Sequence, residues 1–442
     1  TQLHNIVVGN DSLSLNGGTH NIAMGYFAAR GGGTAADNDA SYNVALGYYA
    51  GAALTDGDTN VLIGPDSGKD VTTGSNNVMI GHGAGESNTD KSNAVYLGYR
   101  AGRCRRGNGS IALGTQALVG ITTEASNTGV CNIGLGYNAG CGLSSGCSNI
   151  IMGTNTARCL TTGKDNIYMG NEAGPQNATS IGSCNVVIAY NGGQNITEGE
   201  HNFISGYDAG RGLTEGSSNI IMGPSSGNQV TTAQSNVFLG NAAGRCRQTG
   251  NFNIAIGGNA LVGISTVASN SGANNIALGY QAGNKITTAH RNILIGCNAG
   301  SSLTTGGCNF LAGINAGKEL ETGTFNIFLG HYAGHTVGNA EGYSIAVGYC
   351  AYAEGESTGN QLFMGREAGR CHKGDTNIGI GYAALKGSST PGDNSGTDNV
   401  AIGWNAGGSN TSGTQNVYIG RNAGLTASSG NTNVMIGYQA GK

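Results

Sequence analysis

One short pattern of polar and apolar positions recurs along the whole chain. Each copy has Asn, three apolar residues and Gly, followed by two variable residues and usually Ala-Gly, as at 60–64 (NVLIG) and 292–296 (NILIG). With the central Gly taken as a landmark, there are 25 copies, from Gly9 to Gly437. Gly occupies the landmark in 24 of them, and Asn lies four residues earlier in 21. Such regularity indicates a repeat protein.

The spacing of the landmarks indicates the architecture. Most of them lie 17 residues apart, as do Gly47, Gly64 and Gly81. Three β-type residues bounded by Asn and Gly cannot fold alone, but stacked on identical neighbours each triplet adds one rung to a sheet. Helices are disfavoured because Gly would interrupt every coil, at about 1 kcal/mol relative to Ala. The sequence therefore predicts an all-β protein, a parallel β-solenoid (β-roll or β-helix) of about 25 coils, continuous over 1–442.

The register of the Asn residues has two interpretations. Asn side chains stacked coil upon coil suit an internal amide ladder, in which each amide bonds the next. A turn-forming Asn that bonds its own backbone is the alternative. Both are structural roles.

Four coils are longer than the others, with 22 residues from landmark to landmark. They are 25–47, 114–136, 257–279 and 381–403. Three of them follow a basic segment, which is GRCRR at 102–106, GRCR at 244–247 and GRCHK at 369–373. Insertions in solenoids emerge as loops on one face, often the binding face. Duplication with tolerated loops is the simpler interpretation.

Alternation along each strand assigns the apolar residues to two faces. The residues one and three before the landmark share a face, and the middle residue, two before it, points the other way. We expect the first pair to fill the coil, which leaves an apolar stripe of middle residues that exceeds what soluble monomers expose. Three copies around a common axis would cover it; a two-layered coil that covers its own stripe is the alternative. The predicted interface residues are Leu62, Met79, Tyr96, Ile151, Tyr168, Ile221, Phe238, Leu294, Phe328 and Phe363.

The repeat resembles those of known fibres. The sequence NIALGYQAG at 275–283, with Thr-Thr-Gly downstream in several coils, resembles the tandem repeats of phage and viral tail fibres. It is also similar to head repeats of trimeric autotransporter adhesins, which form left-handed β-rolls assembled as trimers. The resemblance implies a left-handed homotrimer at an extracellular, cell-surface or virion-surface location. The adhesin repeat is shorter than this one, and we expect 1–442 to be an internal piece of a longer or polymerising chain.

Composition argues against several classes of function. Only 10% of residues are charged and the net charge is −4, so no attraction to nucleic acid is expected. No apolar run approaches the roughly 18 residues of a membrane helix, so no membrane insertion is expected. The Cys and His residues are scattered without metal-ligand spacing. We predict no catalytic residues, no metal and no cofactor.

The eleven Cys residues are more than either resembled family leads us to expect. Two pairs fall at nearly the same place in successive coils and are predicted disulfides between rungs, Cys131 with Cys147 and Cys141 with Cys159. Three others have no counterpart in adjacent coils and are predicted to be buried free thiols or links to another chain, namely Cys104, Cys246 and Cys371.

Aromatic and Thr residues also recur in register. Tyr follows the landmark in ten coils, and the single Trp takes the same place. Such a file can stack on sugar rings of a cell-surface glycan, although packing at a corner or an interface is the simpler role. The stacking candidates are Tyr137, Tyr280, Tyr382 and Trp404. Thr pairs such as 72–73 and 287–288 would suggest ice binding if they formed a flat array, but adjacent strand residues face opposite ways.

Three hypotheses for function follow from these features. The leading one is a structural fibre shaft or filament subunit with an adhesive or host-recognition role, and not an enzyme. A carbohydrate-binding fibre that uses the Tyr file and loops is the alternative. An ice-binding solenoid is less favoured.

Overall fold

The computed structural model describes residues 4–33, 38–121, 126–264, 270–337, 342–355, 359–389 and 394–442. It contains 25 strands of three residues each, with turns between them and no α-helix in the described ranges. The all-β parallel solenoid with a 17-residue period is therefore confirmed. The chain divides into two compact units, Thr1–Ser218 and Asn219–Lys442. Continuity between the units, the handedness and the trimer stay predictions.

The first unit contains twelve strands. They are β1 (Ile6–Val8), β2 (Ile22–Met24), β3 (Val44–Leu46), β4 (Val61–Ile63), β5 (Val78–Ile80), β6 (Val95–Leu97), β7 (Ile111–Leu113), β8 (Ile133–Leu135), β9 (Ile150–Met152), β10 (Ile167–Met169), β11 (Val186–Ile188) and β12 (Phe203–Ser205).

The second unit contains thirteen strands. They are β13 (Ile220–Met222), β14 (Val237–Leu239), β15 (Ile254–Ile256), β16 (Ile276–Leu278), β17 (Ile293–Ile295), β18 (Phe310–Ala312), β19 (Ile327–Leu329), β20 (Ile345–Val347), β21 (Leu362–Met364), β22 (Ile378–Ile380), β23 (Val400–Ile402), β24 (Val417–Ile419) and β25 (Val434–Ile436).

Within each unit the strands pair in parallel, residue for residue. Between β4 and β5, for example, Leu62 lies opposite Met79. The longer coils keep this register, because Ile254 of β15 pairs with Ile276 of β16, 22 residues later. Each 22-residue coil therefore adds one rung, as a 17-residue coil does.

In each of the four longer coils, an Asn bonds a carbonyl oxygen six residues earlier. The side-chain amides of Asn127 and Asn270 donate to the carbonyl oxygens of Ile121 and Ile264, each at 2.7 Å. Asn38 and Asn394 make the equivalent bonds, at 2.7 and 2.8 Å. Residues 34–37, 122–125, 265–269 and 390–393, which lie between these partners in sequence, are outside the described residues. The loops and their binding role stay predictions.

Four positions in each ordinary coil point inward. In the coil of Gly296 they are Asn292, Leu294, Ala299 and Leu303, all fully buried. They are the Asn, the middle strand residue, the Ala three residues after the landmark and the apolar residue seven after it. The core of each unit is a stack of these four files.

The predicted assignment of the strand faces was wrong. The ten residues predicted to form an interface between chains are fully buried inside the single chain: Leu62, Met79, Tyr96, Ile151, Tyr168, Ile221, Phe238, Leu294, Phe328 and Phe363. The coil covers this stripe itself, which was the alternative. The physical reason is that Asn and the middle residue share a strand face by alternation. Because the Asn amides bond one another in the dry interior, the middle residues point inward with them.

The internal amide ladder is confirmed. Asn292 Nδ2 donates to Asn275 Oδ1 at 3.0 Å and to the carbonyl oxygen of Gly306 at 3.0 Å. Asn292 Oδ1 in turn accepts from the backbone N–H of Asn309 at 2.9 Å and from its Nδ2 at 3.0 Å. Asn292 Nδ2 also reaches its own backbone, at the carbonyl oxygen of His290 (3.2 Å), so the second interpretation contributes as well.

Two properties of the landmark position favour Gly. In all 24 landmark glycines φ lies between 119° and 144°, a region that other residues rarely adopt. A Cβ on Gly240 would also lie 2.8 Å from the backbone C and O of Gly257 in the next coil. At Gly240 the stacked backbones are therefore too close for a side chain, whereas the remaining landmark, Ala189, is not among the residues with positive φ.

In three of the longer coils, a larger side chain at one core position is accompanied by smaller side chains at another. Where ordinary coils have Gly four residues after the landmark, Leu118, Leu261 and Leu385 are present and fully buried. In each case the middle strand residues of the same coil and the next are Ala or Gly. A Cβ on Gly134 would lie 2.6 Å from Leu118 Cγ, so the missing side chain makes room for the added one.

Candidate interaction surface

The strand residues one and three positions before each landmark form the outer strand face. Of these 50 positions, 49 are apolar, Ser205 being the exception, and none is charged. In the coil of Gly296, Ile293 is 38% exposed and Ile295 39% exposed in the single chain. The members exposed to this extent or more include Ile6, Val8, Met24, Ile188, Ile220, Met222, Ile256, Met364, Ile402, Val434 and Ile436. An unbroken apolar surface is therefore exposed on each unit.

The size of this face follows from strand geometry. Neighbouring strands lie about 4.8 Å apart, and three residues span about 10 Å. The thirteen strands of the second unit therefore present roughly 600 Å² and the twelve of the first roughly 500 Å². The largest apolar patch on a typical monomer is about 300–600 Å². The face of each unit by itself therefore lies in the upper part of that range.

An aromatic file runs beside the outer strand face, one residue after the landmark. Its members are Tyr26, Tyr48, Tyr99, Tyr137, Tyr190, Tyr207, Tyr280, Tyr349, Tyr382, Trp404 and Tyr438, all of them exposed. Where aromatic residues occupy successive coils, their rings stack. The ring centroids of Tyr190 and Tyr207 lie 5.5 Å apart at 7°. The file therefore extends the apolar surface, and its stacked rings form contacts between neighbouring rungs.

Neighbouring side chains cover the ring faces of two of the four predicted sugar-stacking residues. Tyr382 and Trp404 stack on each other, with ring centroids 5.7 Å apart at 15°. The guanidinium carbon of Arg366 lies 5.8 Å from the Tyr382 ring centroid, and that of Arg421 lies 4.8 Å from the Trp404 centroid. Their faces are thus occupied by neighbours in the file, and stacking of a sugar needs a free face. Stacking on the other two candidates, Tyr137 and Tyr280, stays a prediction.

Neither predicted disulfide is present, and the four Cys residues of the two pairs are free thiols. The backbone N–H of Ser148 donates to the carbonyl of Val130 (3.1 Å), which places Ser148, and not Cys147, opposite Cys131. Cys141 likewise lies against Arg158, with its Sγ 3.9 Å from that carbonyl oxygen, one residue short of Cys159. An offset of one residue points side chains to different faces, which is why these pairs do not bridge.

The three Cys residues without counterparts differ in burial. Cys246 and Cys371 are buried free thiols, as the first of the two predicted interpretations has it, and Cys104 is half-buried. Cys371 Sγ donates to Glu354 Oε2 at 3.3 Å. Burial raises the pKa of the Cys371 thiol to about 11, so it stays protonated at neutral pH.

The Thr pairs have a structural role. The first Thr of each pair donates its hydroxyl to a carbonyl oxygen of the next coil, as Thr72 does to Thr89 (3.1 Å) and Thr304 to Glu321 (2.9 Å). The hydroxyls of Thr161, Thr231 and Thr287 make the equivalent bonds. These hydroxyls are therefore used between rungs, whereas ice binding by the exposed second Thr of each pair stays a prediction.

The basic segments place charged side chains in the core, which sequence reasoning missed. Arg105, Arg247 and His372 are fully buried at the position where most coils have Leu, Val or Ile. Arg105 donates to the carbonyl oxygens of Gly129 at 2.6 Å and Leu143 at 3.0 Å, across the following long coil. The co-occurrence of basic segments and long coils in the sequence was the available signal.

The buried charges have shifted pKa values because of desolvation. Burial lowers the pKa of Arg105, lowers that of Arg247 to about 10 and lowers that of His372 to about 4. His372 is therefore neutral at physiological pH, and its Nε2–H donates to the carbonyl oxygen of Gly396 at 2.9 Å. These residues bridge the coils on either side of an inserted loop.

Comparison with known families, curated proteins and solved structures finds no match to this chain. Among the described residues, no group of three or more His, Cys, Asp or Glu side chains is arranged to hold a metal ion. No helix in that part of the chain is long and apolar enough to cross a membrane. The fold itself defines the class, a parallel β-solenoid repeat protein.

Proposed function

We propose that this protein is a structural fibre shaft or filament subunit whose copies associate through the outer strand face. The observation that carries the proposal is the composition of that face, apolar at 49 of 50 positions and half-exposed in the single chain. Water contact with so much aliphatic surface is unfavourable by about 25 cal/mol per Å². An unpartnered face of this kind also invites aggregation, which natural sheets suppress with charges.

The face of each unit is of the size that an interface needs. A standard interface buries about 800 Å² per partner. The outer strand face of the second unit alone gives roughly 600 Å², and the exposed aromatic file beside it adds to that area.

A second copy of this chain fits the face best. Its side chains repeat at the rung spacing of the solenoid, so a partner with the same spacing can interdigitate along its whole length. The absence of charged residues at the 50 positions also removes the like-charge repulsion that would oppose pairing of identical faces. Three copies per assembly is the number that the resemblance to trimeric fibres favours.

The adhesive or host-recognition part of the proposal has separate support. It rests on the resemblance of the repeat to tail fibres and adhesins, and on the four longer coils at 25–47, 114–136, 257–279 and 381–403, because insertions in solenoids often serve binding. A surface location in an extracellular or virion setting belongs to this part of the proposal.

A charge placed on the outer strand face tests the proposal. The double variant Ile293→Lys and Ile295→Lys puts two charges on the face while the buried Leu294 stays in place. Thr305→Lys, at an exposed position after the same landmark, is the matched control. We expect light scattering to show a smaller assembly for the double variant only, with unchanged circular dichroism. Equal assembly of all three proteins would count against the outer strand face as the interface.

A further inference from the structure

A groove of about 290 Å³ opens on the second unit, where the coils of Gly330, Gly348 and Gly365 follow one another. Its lining residues are Tyr332, His335, Thr336, Tyr349, Cys350, Ala353, Glu354 and Arg370. The volume lies at the lower end of small-molecule sites, which are about 300–1,000 Å³. The groove is thus large enough for one sugar residue.

The polar groups of the groove are held in place. Arg370 Nη2 donates to Glu354 Oε1 at 2.9 Å, and Nε of the same guanidinium donates to that oxygen at 3.2 Å. Cys371 Sγ donates to the other carboxylate oxygen, Oε2, at 3.3 Å. A carboxylate has about four acceptor sites, so Glu354 keeps capacity for further donors. The guanidinium has five donors and likewise keeps some for a ligand.

The walls carry no net charge. Glu354 and Arg370 neutralise each other, and both are half-exposed. Burial lowers the pKa of His335 below its usual value, so its imidazole is neutral at pH 7 and can both donate and accept. A ligand with a full charge of either sign gains little from such walls. A neutral ligand with several hydroxyl groups can use the donors and the acceptors together.

Aromatic rings form the apolar part of the groove. The rings of Tyr332 and His335 lie 4.9 Å apart at 59°. Tyr349 lines the neighbouring coil, but the guanidinium carbon of Arg366 lies 5.5 Å from its ring centroid, so Tyr332 is the aromatic residue that the proposal assigns to the sugar. Aromatic carbon next to paired carboxylate and guanidinium groups is the combination that recognises a sugar, whose C–H faces are apolar and whose hydroxyls both donate and accept. We propose that this groove binds one neutral sugar residue of a glycan.

This inference rests on the adhesive part of the proposed function, for which it names a ligand class, and it does not depend on association. The test uses the full chain and methyl glycosides of glucose, galactose, mannose and N-acetylglucosamine, with glucuronic acid and glucosamine as charged counterparts. Binding is measured by saturation-transfer NMR and titration calorimetry. We expect at least one neutral glycoside to bind, with a dissociation constant on the order of 1 mM.

Three variants locate the binding. Tyr332→Ala and Glu354→Gln should each weaken it about tenfold or more, while Glu86→Gln should not. Glu86 is the matched control because it makes the same kind of ion pair, with Arg103 at 2.7 Å, outside the groove. Thermal melting checks that each variant is folded.

The inference is overturned if no neutral glycoside binds, if the charged sugars bind more tightly, or if the groove variants bind as well as the parent. An unchanged assembly size in any of these cases leaves the fibre proposal standing, so the two failures are distinguishable.

Discussion

Removal of one amide from the internal Asn ladder should destabilise the second unit strongly. Asn292→Ala takes away an oxygen that accepts two hydrogen bonds from Asn309, at 2.9 and 3.0 Å. It also removes the donor that serves the carbonyl oxygen of Gly306 at 3.0 Å. Asn275 keeps a partner, because the backbone N–H of residue 292 still donates to its Oδ1. The loss is therefore concentrated on the next coil.

The magnitude follows from the groups that lose a partner. The backbone N–H of Asn309 and the carbonyl of Gly306 are left in the interior without these bonds, and each unsatisfied buried group costs about 1–3 kcal/mol. The side-chain amide of Asn309 keeps one bond, to the carbonyl of Gly323 at 2.8 Å. We expect a total of about 3–5 kcal/mol, which is large for a single substitution.

Two measurements check this value. Urea denaturation reports the loss of stability, and amide hydrogen exchange reports local opening at residue 309, since solenoid stability is a sum over repeats and their neighbours. Asn298→Ala is the matched control. It removes another Asn–Asn bond between adjacent coils, from Asn298 Nδ2 to Asn315 Oδ1 at 3.1 Å, at a half-exposed site. Equal effects of the two substitutions, or unchanged exchange at residue 309, would refute the ladder's energetic role.

Three further predictions concern the core. His372 has a folded-state pKa of about 4, below its unfolded value, so the unfolded chain binds a proton more readily than the folded chain does. The free energy of unfolding should therefore be highest above about pH 6.5 and should fall by about 3 kcal/mol towards pH 4. His372→Gln should remove this component from the measured pH dependence of unfolding. Gly240→Ala should cost about 2 kcal/mol or more in urea denaturation, because of its φ of 134° and the close backbone of the next coil; a neutral result would contradict the stacking argument. Phe328→Ala should cost about 3–5 kcal/mol, and Ile327→Ala on the outer strand face much less; the reverse order would restore the original assignment of faces.

Much of the fold could be predicted because the repeat is strict. Every strand in the structure is the apolar triplet before a landmark, and the 17- and 22-residue spacings both keep residue-for-residue pairing. Which face of each strand points into the core could not be predicted from hydrophobicity, because both faces are apolar. Two signals were present in the sequence. Asn and the middle residue share a face, and Gly134 coincides with the added Leu118 one coil earlier.

The chemistry of the surface was less accessible from sequence. Arg105 and His372 belong to residue types that usually lie in solvent. Their burial is explained by the three-dimensional path of the long coils. The groove is formed by residues of three successive coils, between Tyr332 and Arg370, and no sequence motif marks it. The predicted disulfides were wrong because the two Cys residues of each pair are offset by one residue between neighbouring coils. That offset decides which face a side chain takes.

The mass of the parent chain in solution tests the central claim, which is that copies associate through the outer strand face. Sedimentation equilibrium across a range of concentrations measures it without labels or substitutions. The chain has a mass of 44.3 kDa, and we predict a stable multiple of that value, three being the number favoured. A single species of 44.3 kDa at every concentration would contradict the account, because the apolar face would then be exposed to water in the native state.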